Sequence, residues 1–313
     1  MSWIRKNWFL ISLIILLGIG FYFSRNLDSI SDLGWFKWSV VSVTMFLMSW
    51  PLRFDHLKSS LTRPLAPLLA CGINLVFIPM VTWPLSWFAG AELGPGLLIA
   101  AATPSTMASA AVLTRRAGGD DSVSILVTLL TNGTCFLVMP LWIKIQTGNQ
   151  LDSVVLVATI YKLLFFVVLP IGLAQIIRFH SGLGKWASQN KPKLTIFALI
   201  GILIMVFLGA IKMGIRFQSQ DIDFTLWQLT YVITVVAMVH LLAFGLGMQI
   251  ARVMRIGPKS TVAIGFSGSQ KTLMIGLSTA INLGFSIIPI VIYHSVQLIL
   301  DSIIAEKMRG TGD

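Results

Sequence analysis

Long apolar stretches, joined by short polar segments, make up almost the whole chain. A membrane-spanning helix needs about 20 predominantly apolar residues, and most of the stretches approach or exceed that length. The pattern predicts an all-α membrane protein with ten transmembrane helices. In chain order, the predicted spans are residues 8–24, 36–52, 64–88, 94–114, 122–143, 154–177, 194–214, 226–251, 258–282 and 285–305.

Composition agrees with this pattern, because 56% of the 313 residues are hydrophobic and only 11% are charged. The formal net charge is +11, but Lys and Arg are concentrated in alternate loops, as the positive-inside rule describes. We expect a multi-pass protein of the cell inner membrane with both termini cytoplasmic, surrounded by the lipid bilayer, with no nucleic-acid partner and no obligate protein partner. The predicted cytoplasmic loops contain Arg53, Lys58 and Arg63; Arg115 and Arg116; Arg178, Lys185, Lys191 and Lys193; and Arg252, Arg255 and Lys259.

The predicted spans repeat at a nearly constant distance along the chain. The third, fourth and fifth begin near residues 64, 94 and 122, and the eighth, ninth and tenth begin about 160 residues later. Five helices per repeat is an odd number, so the second repeat must be inverted in the membrane relative to the first. Inverted repeats are typical of secondary transporters. We predict one transporter domain over residues 1–313, with repeats at about 1–150 and 151–313.

The fourth and ninth spans are interrupted by residues that disturb a helix. Pro104 and a Ser/Thr cluster lie in "AAATPSTMASAAVLT" (100–114), and three glycines lie in "GFSGSQKTLMIG" (265–276). Irregular backbone at membrane depth is tolerated where it is buried in protein or lines a wet cavity. Interruptions at equivalent positions of two repeats point to a transporter binding site. We predict that both helices are discontinuous and cross; the alternative is that the glycines only permit close helix packing.

Lys271 lies near the middle of the ninth span, next to Gln270. A lysine at the centre of a spanning helix costs about 2.5–3.5 kcal/mol on insertion scales. Either its side chain extends to the membrane surface, or it contacts an anionic substrate, replaces a coupling metal ion, or exchanges a proton. The amides of Gln270 and Asn74 either hold a cation or a polar substrate, or bond neighbouring helices together.

Hydroxyl groups add to this predicted ion-coupling site. Ser109, Ser124 and Thr128 are candidates, and the i, i+4 spacing of Ser124 and Thr128 places them on one face of the fifth span. His294 shares a helix face with Gln297. The candidates for substrate binding are Pro104, Ser105, Thr106, Ser267, Ser269 and His294.

Other polar residues within the spans receive a structural interpretation. His240 is expected to be a packing histidine, and Lys162 and Asp301 are expected near the membrane interface, because they lie closer to the ends of their spans. The acidic residues fall almost entirely in loops or at span ends, which argues against a paired carboxylate site inside the membrane.

Sequence motifs of enzymes and primary pumps are missing. The sequence has no HExxH, GxSxG, Walker A or CxxC pattern, each of which carries a known chemistry. We predict that the protein is not an enzyme, has no cofactor and has no firmly assignable metal site. The candidate coupling ions are Na⁺ and H⁺.

At these residues the chain resembles the bile acid:sodium symporter superfamily, in particular its bacterial SBF-like branch, over nearly its whole length. "TPSTMASAAVLTRRAGGDDSVSILVTLLTNG" resembles the family's first crossing helix and fifth helix, and "GFSGSQKT" resembles its second crossing helix, typically Glu-Val-Gly-Met-Gln-Asn-Ser. The resemblance implies a core domain of about residues 64–143 and 226–305, and a panel domain of about residues 8–52 and 154–214. Substrate would bind between the two.

Several site residues match the family's pattern. The resemblance aligns Gln270 with the family glutamine, and Ser124 and Thr128 with its fifth-helix sodium ligands. Asn74 falls where sodium-coupled members have a third-helix glutamine. These matches imply a cation site at the crossing of the two interrupted helices.

Other positions depart from the family's pattern. The family glutamate falls at Phe266, its asparagine at Lys271, and its Ser-Asn pair at or beside Ser109 and Ala110. The acidic sodium ligand is therefore missing, and an ammonium group, which opposes a nearby sodium ion, stands next to its place.

These observations lead to an expected function. We expect a secondary active transporter of small organic anions, such as carboxylates or sulfonates, that works by alternating access. Its ion coupling would be sodium-independent or proton-linked, because Lys271 and Phe266 replace sodium-site residues. The alternatives are a sodium-coupled organic anion symporter with one remaining sodium site, a passive channel or uniporter, and a non-transporting membrane regulator.

Overall fold

The computed structural model describes residues 2–31, 34–52, 64–148, 152–219 and 224–310, and these residues contain helices and no strand. Two short helical turns, Ser24–Leu27 and Asp28–Ser31, follow the first helix. The helices are α1 Ser2–Tyr22, α2 Gly34–Ser49, α3 Leu65–Phe88, α4 Gly90–Ala102, α5 Ala110–Arg116, α6 Asp121–Thr147, α7 Ser153–Arg178, α8 Ser181–Gln189, α9 Lys191–Gln218, α10 Leu226–Val253, α11 Pro258–Ser269, α12 Leu273–Leu283 and α13 Ile288–Gly310.

Six of the helices in the described residues are long and apolar enough to cross a membrane, namely α3, α6, α7, α9, α10 and α13. The apolar part of α1, Trp8–Tyr22, and the whole of α4 are shorter. Large apolar side chains on several helices are exposed, including Ile14, Leu141, Phe165 and Phe197. A bilayer accommodates such a surface, whereas water does not. The prediction of an all-helical, multi-pass membrane protein is confirmed; the count of ten spans stays a prediction.

Contacts sort most of the helices into two groups, which are also joined by packing of α7 against α6. Helix α9 packs against α1 and α2, and α2 also packs against α7. Small residues permit this approach: a Cβ added to Gly20 of α1 would lie 2.9 Å from the Cβ of Ala210 on α9, as is common where membrane helices meet. In the other group, α10 packs against α11 and α13, α11 packs against α3, α5 and α6, and α4 packs against α6 and α13. Helix α12 contacts both groups through α2, α9, α4 and α13.

Two of the long helices each contain one wide π turn followed by a proline. The turn at Ile73–Phe77 in α3 precedes Pro79, and the turn at Leu164–Val168 in α7 precedes Pro170. In a π turn the N–H groups bond five residues back instead of four, and proline has no N–H to donate. The Ile78 N–H accordingly bonds the Ile73 oxygen. The carbonyls that follow in α3 therefore lack their usual helical donors and are open to other partners.

Candidate functional site

Two short non-helical segments meet at the centre of the second helix group. The first linker, residues 103–109, separates α4 from α5, and the second linker, residues 270–272, separates α11 from α12. The Thr272 N–H donates to the Pro104 oxygen at 2.9 Å, so the two linkers touch through their backbones.

Local chemistry explains why the chain leaves the helix at the first linker. A residue that precedes proline is disfavoured in helical geometry, and Thr103, which precedes Pro104, is extended at φ −63°, ψ 151°. Pro104 cannot donate to the Ala100 oxygen, and the Thr103 hydroxyl donates to it instead at 2.8 Å. At the second linker Gln270 is also extended, at φ −75°, ψ 147°.

Lys271 does not extend to the membrane surface, because its side chain is 2% exposed. Its Nζ donates to the Asn74 backbone oxygen at 2.5 Å and to the Thr103 oxygen at 2.9 Å, and the Asn74 Oδ1 lies at 3.3 Å. An ammonium has three N–H donors and no acceptor, so three oxygens match its hydrogen-bonding capacity. Lys271 thus connects the second linker to the first linker and to α3.

The oxygens around Lys271 are available because the helices that carry them are interrupted there. The Asn74 carbonyl lies inside the π turn of α3, and Pro79, five residues later, has no N–H for it. The next carbonyl, Leu75, is bonded instead by the Trp142 indole N–H at 2.9 Å. The Thr103 carbonyl caps the end of α4, where carbonyls lack helical partners and the helix dipole favours a cation.

Gln297 of α13 holds the backbone of Lys271 on both sides. Its Oε1 accepts from the Lys271 N–H at 2.7 Å, and its Nε2 donates to the Lys271 oxygen at 2.7 Å. His294, one turn earlier on α13, places its Nδ1 3.0 Å from the same Nε2 and is buried. The side chain of Gln297 therefore satisfies the extended peptide that the second linker exposes, and His294 helps to orient Gln297.

Gln270 connects the first linker to a buried acid. Its Oε1 accepts from the Ser109 hydroxyl at 2.9 Å, and its Nε2 donates to Asp301 Oδ2 at 2.6 Å. The other oxygen of Asp301 lies 2.8 Å from His240 Nε2, and both side chains are 0% exposed. His240 Nδ1 lies 3.3 Å from the Ser269 oxygen.

This arrangement adds partners to two residues that received a structural interpretation from the sequence. Asp301 is fully buried beside Gln270; its expected place near the membrane interface stays a prediction. His240 is not a packing residue alone, because one ring nitrogen faces Asp301 and the other faces the end of α11.

Side chains of α6 satisfy most of the first linker. The Thr131 hydroxyl accepts from the Ser105 N–H at 3.1 Å, and Asn132 Nδ2 donates to the Ser105 oxygen at 2.8 Å. The Thr128 hydroxyl donates to the Thr106 oxygen at 3.3 Å. Two buried oxygens here, Ser105 Oγ and Asn132 Oδ1, have no hydrogen-bond partner within the described part of the chain. Unpaired buried oxygens of this kind leave hydrogen-bonding capacity for a ligand or water.

Asn74 also binds the end of α11. Its Nδ2 donates to the Gln270 oxygen at 2.8 Å and to the Gly268 oxygen at 3.2 Å, which are carbonyls that a helix end leaves unpaired. The hydroxyls of Ser267 and Ser269 bond carbonyls of their own helix. Ser124 Oγ lies 2.7 Å from the Thr114 hydroxyl of α5. These last three hydroxyls therefore support helices and do not contact Lys271.

The ionisable groups of the site are enclosed by hydrogen-bonding partners. Lys271 Nζ is surrounded by neutral oxygens, and the carboxyl group of Asp301 accepts a hydrogen bond from the amide of Gln270 and faces the ring of His240. Buried charges persist only where hydrogen bonds or an opposite charge compensate them. Across the described ranges of the chain, no cluster of three His, Cys, Asp or Glu side chains is arranged to hold a metal ion.

The sequence model of the SBF-like CPA transporter family matches residues 7–310. The chain belongs to this family. The predicted resemblance to the SBF-like branch of the bile acid:sodium symporters is confirmed by this match, which covers both linkers and every residue of the site.

Relatives of this SBF-like protein come from vertebrates and bacteria. It is 22% identical to sodium/bile acid cotransporter 7 of Xenopus tropicalis over 98% of this chain and 93% of the relative. It is 21% identical to the protein of the same name from Rattus norvegicus, over 98% and 94%. An uncharacterized protein of Pseudomonas aeruginosa is 26% identical over 83% of this chain and 77% of the relative.

The structure brings most of the predicted coupling residues of this SBF-like protein together. Lys271, Gln270, Asn74 and Ser109 are joined directly, and Thr128, with Pro104, Ser105 and Thr106, lies at the first linker. The prediction missed His240 and Asp301, as well as Thr131 and Asn132. A signal for Asp301 exists in the sequence, because His294, Gln297 and Asp301 follow one another at i, i+3 and i+7 on one helix face.

Proposed function

We propose that this SBF-like protein is a secondary active transporter of small organic anions in the cell inner membrane, with both termini in the cytoplasm. The observation that carries the proposal is the contact of two non-helical linkers at a fully buried lysine. Irregular backbone and an ionisable group at membrane depth are costly, and both recur where transporters bind their cargo.

We further propose that α4 and α5 form one discontinuous span, and α11 and α12 another, so that ten spans form two inverted repeats. The linkers support this proposal, because each follows the first part of the fourth helix in its repeat. The hydrogen bond between Thr272 and Pro104 lies where the two discontinuous spans would cross. The short α4, of 13 residues, would reach only part of the way through the membrane.

The two helix groups described above support a division into moving parts. In this proposal α1, α2, α7 and α9 form the panel, and α3 to α6 with α10 to α13 form the core. Alternating access would come from movement of one group against the other around the crossing. Cargo would bind between them, near the first linker, where Ser105 and Asn132 have unpaired oxygens.

We propose that the Lys271 ammonium takes the place of a coupling cation. Its three oxygen contacts are those that a bound cation would otherwise make with the Asn74 and Thr103 carbonyls. Phe266, in the position of the family glutamate, is fully buried against Phe244 and supplies no charge. In this proposal transport is independent of sodium or linked to protons.

One observation favours the alternative of a sodium-coupled symporter with one remaining site. Asp301 provides a buried carboxylate next to Gln270, although from a different helix than the family glutamate. Both oxygens of Asp301 already have a partner: Oδ2 accepts a hydrogen bond from Gln270 Nε2, and Oδ1 faces His240 Nε2. A sodium ion would have to displace these partners, so the lysine-based coupling is the stronger proposal.

The test measures flux in proteoliposomes that contain the full chain. Uptake of radiolabelled benzoate, lactate and methanesulfonate is followed with sodium replaced by choline, with and without an inward proton gradient. We expect uptake of at least one anion to persist without sodium, and to be lost in Lys271→Gln, which keeps polar atoms but removes the charge. Lys259→Gln is the matched control, because Lys259 is exposed at the start of α11, the helix that leads into the second linker.

Three results would contradict the proposal in different ways. Saturable dependence on sodium would overturn the lysine-based coupling and favour the symporter with a remaining sodium site. Absence of flux for every anion would favour a membrane regulator. Uptake that neither an ion gradient nor the membrane voltage can drive uphill would favour a passive channel.

A further inference from the structure

A cavity with polar and apolar lining residues lies between α2, α7 and α9 on one side and α12 on the other. Its volume is about 140 Å³, which is about that of five water molecules in the liquid. Both a charged group and an aromatic ring line it, so it differs from the apolar gaps between membrane helices. Lining residues include Lys37, Trp38, Lys162, Met205, Ser278 and Asn282.

Lys162 of α7 reaches across this cavity to α12. Its Nζ donates to Asn282 Oδ1 at 2.5 Å and lies 5.6 Å from the centre of the Trp38 ring. Trp38 is itself held in place by stacking on Phe166 at 5.1 Å. Among the described residues, no carboxylate forms an ion pair with Lys162. The ammonium is therefore solvated by a neutral amide and an aromatic face, neither of which neutralises its charge.

Arg216 of α9 provides a contrast at the same end of α12. It donates to the Gly284 oxygen at 2.9 Å, just after α12, and forms an ion pair with Glu92 of α4 at 2.8 Å. Two cations from the first helix group thus hold the last turn of α12, where the helix dipole favours positive charge. Arg216 already has an anion as its partner, whereas among the described residues the partners of Lys162 are neutral: the amide of Asn282 and the ring of Trp38.

We propose that Lys162 binds the acidic group of an organic anion, and that the anion displaces Asn282 from the ammonium. A carboxylate or sulfonate forms a stronger, charge-assisted hydrogen bond than a neutral amide does. The ring of Trp38 offers an apolar face to the organic part of the same molecule. The binding site itself stands on the cavity; only its role in transport rests on the proposed function.

Displacement of Asn282 would have a mechanical consequence. Asn282 lies on α12, the helix that begins directly after the second linker, and Lys162 lies in the opposite helix group. Breaking their hydrogen bond removes one of the two cationic connections between that group and the last turn of α12. An anion at Lys162 would thus loosen α12 from α7 and from the first helix group, which is the relative movement that alternating access requires.

The experiment measures binding to the purified full chain in detergent by isothermal titration calorimetry at constant ionic strength. The probes are benzoate and benzenesulfonate, with benzamide as the uncharged counterpart. We expect both anions to bind and benzamide not to bind. Lys162→Gln should weaken anion binding by roughly tenfold or more, the value of a charge-assisted hydrogen bond, and Lys162→Arg should retain most of it.

Asn282→Asp gives a second, opposite test, because it keeps Lys162 and supplies the ion-pair partner that the structure lacks. We expect it to weaken anion binding as much as Lys162→Gln does, while thermal unfolding shows that the variant is folded. Lys144→Gln, which removes a lysine outside this cavity, is the matched control and should bind as the wild type does.

The outcomes separate this inference from the proposed function. No anion binding by the wild type, equal binding of benzamide, or unchanged binding in Lys162→Gln would each overturn the inference. Binding that depends on Lys162 without any flux would support the site and contradict transport. Flux that is unaffected by Lys162→Gln, in a protein that does transport and whose anion binding depends on Lys162, would support the binding site and contradict its role in transport.

Discussion

The two linkers obtain hydrogen-bond partners for their backbone groups through different chemistry. Each leaves backbone groups without helical partners deep in the protein. The first linker is satisfied by neutral side chains of a neighbouring helix, through Thr128, Thr131 and Asn132 of α6. The second linker supplies its own charge, Lys271, and is surrounded by groups from α3, α10 and α13.

This difference gives the two linkers separate roles. The first linker keeps two buried oxygens unpaired, whereas Lys271, Gln270 and Thr272 of the second linker all donate to or accept from the first linker. The second linker is therefore the structural centre of the crossing, and the first is the side with capacity left for a ligand. Four substitutions test this contrast. Asp301→Asn, Asn132→Leu and Ser105→Ala are ordered by their expected effect on stability, and His240→Gln is the partner of the first.

Asp301→Asn should have the largest effect. It removes the buried acid that both Gln270 and His240 contact, and each buried polar partner left unsatisfied costs about 1–3 kcal/mol, so the two partners together give the largest loss of the set. We expect a fall of that order in the free energy of unfolding, measured by denaturant titration in detergent micelles.

His240→Gln serves as the partner variant for Asp301→Asn. Because the two side chains are in contact, the double variant should lose less stability than the sum of the single variants, with a coupling of about 0.5–3 kcal/mol. If the stability losses of the two single variants were strictly additive, Asp301 and His240 would not act as a coupled pair. The second linker would then not differ from the first in being surrounded by coupled buried groups.

Asn132→Leu should have an intermediate effect at the first linker. The substitution keeps a similar volume but removes the donor to the Ser105 oxygen, and an unpaired buried acceptor costs about 1–3 kcal/mol. The same unfolding measurement applies. A loss as large as that of Asp301→Asn would contradict the view that neutral bonds hold the first linker less strongly.

Ser105→Ala should have the smallest effect. Its hydroxyl has no partner among the described residues, so removing it sacrifices no hydrogen bond and ends the cost of a buried unpaired polar group. We therefore expect the free energy of unfolding to stay the same or to rise. If Ser105 contacts the cargo as proposed, anion uptake should fall although stability does not. Unchanged uptake would remove Ser105 from the substrate site.

Periodicity and composition predicted the helical part of the structure well. Span three was expected at residues 64–88, and α3 covers Leu65–Phe88. Pro104 and the glycines around Gln270 marked both linkers, because proline and glycine disturb helices through local sterics that a sequence displays directly. Lys271 could be identified as a candidate because an ionisable side chain within an apolar run is energetically costly and therefore points to a specific role.

Partners of these residues could not be predicted in the same way. The acceptors of Lys271 depend on a π turn near Pro79, where the helix register, and not the residue type, decides which carbonyl is open. The Asp301–His240 contact depends on how α13 packs against α10. Such pairs are set by tertiary geometry, which one sequence does not reveal.

The attachment of the Lys271 ammonium to the polypeptide has an electrical consequence. A cation that belongs to the chain returns with it and contributes no net charge to a complete transport cycle. A monoanion that crosses without a co-transported ion would then move its own charge through the transmembrane voltage. At a potential of about 100 mV this is worth about 2.3 kcal/mol, and because the cytoplasm is negative, the voltage would drive such an anion out of the cell.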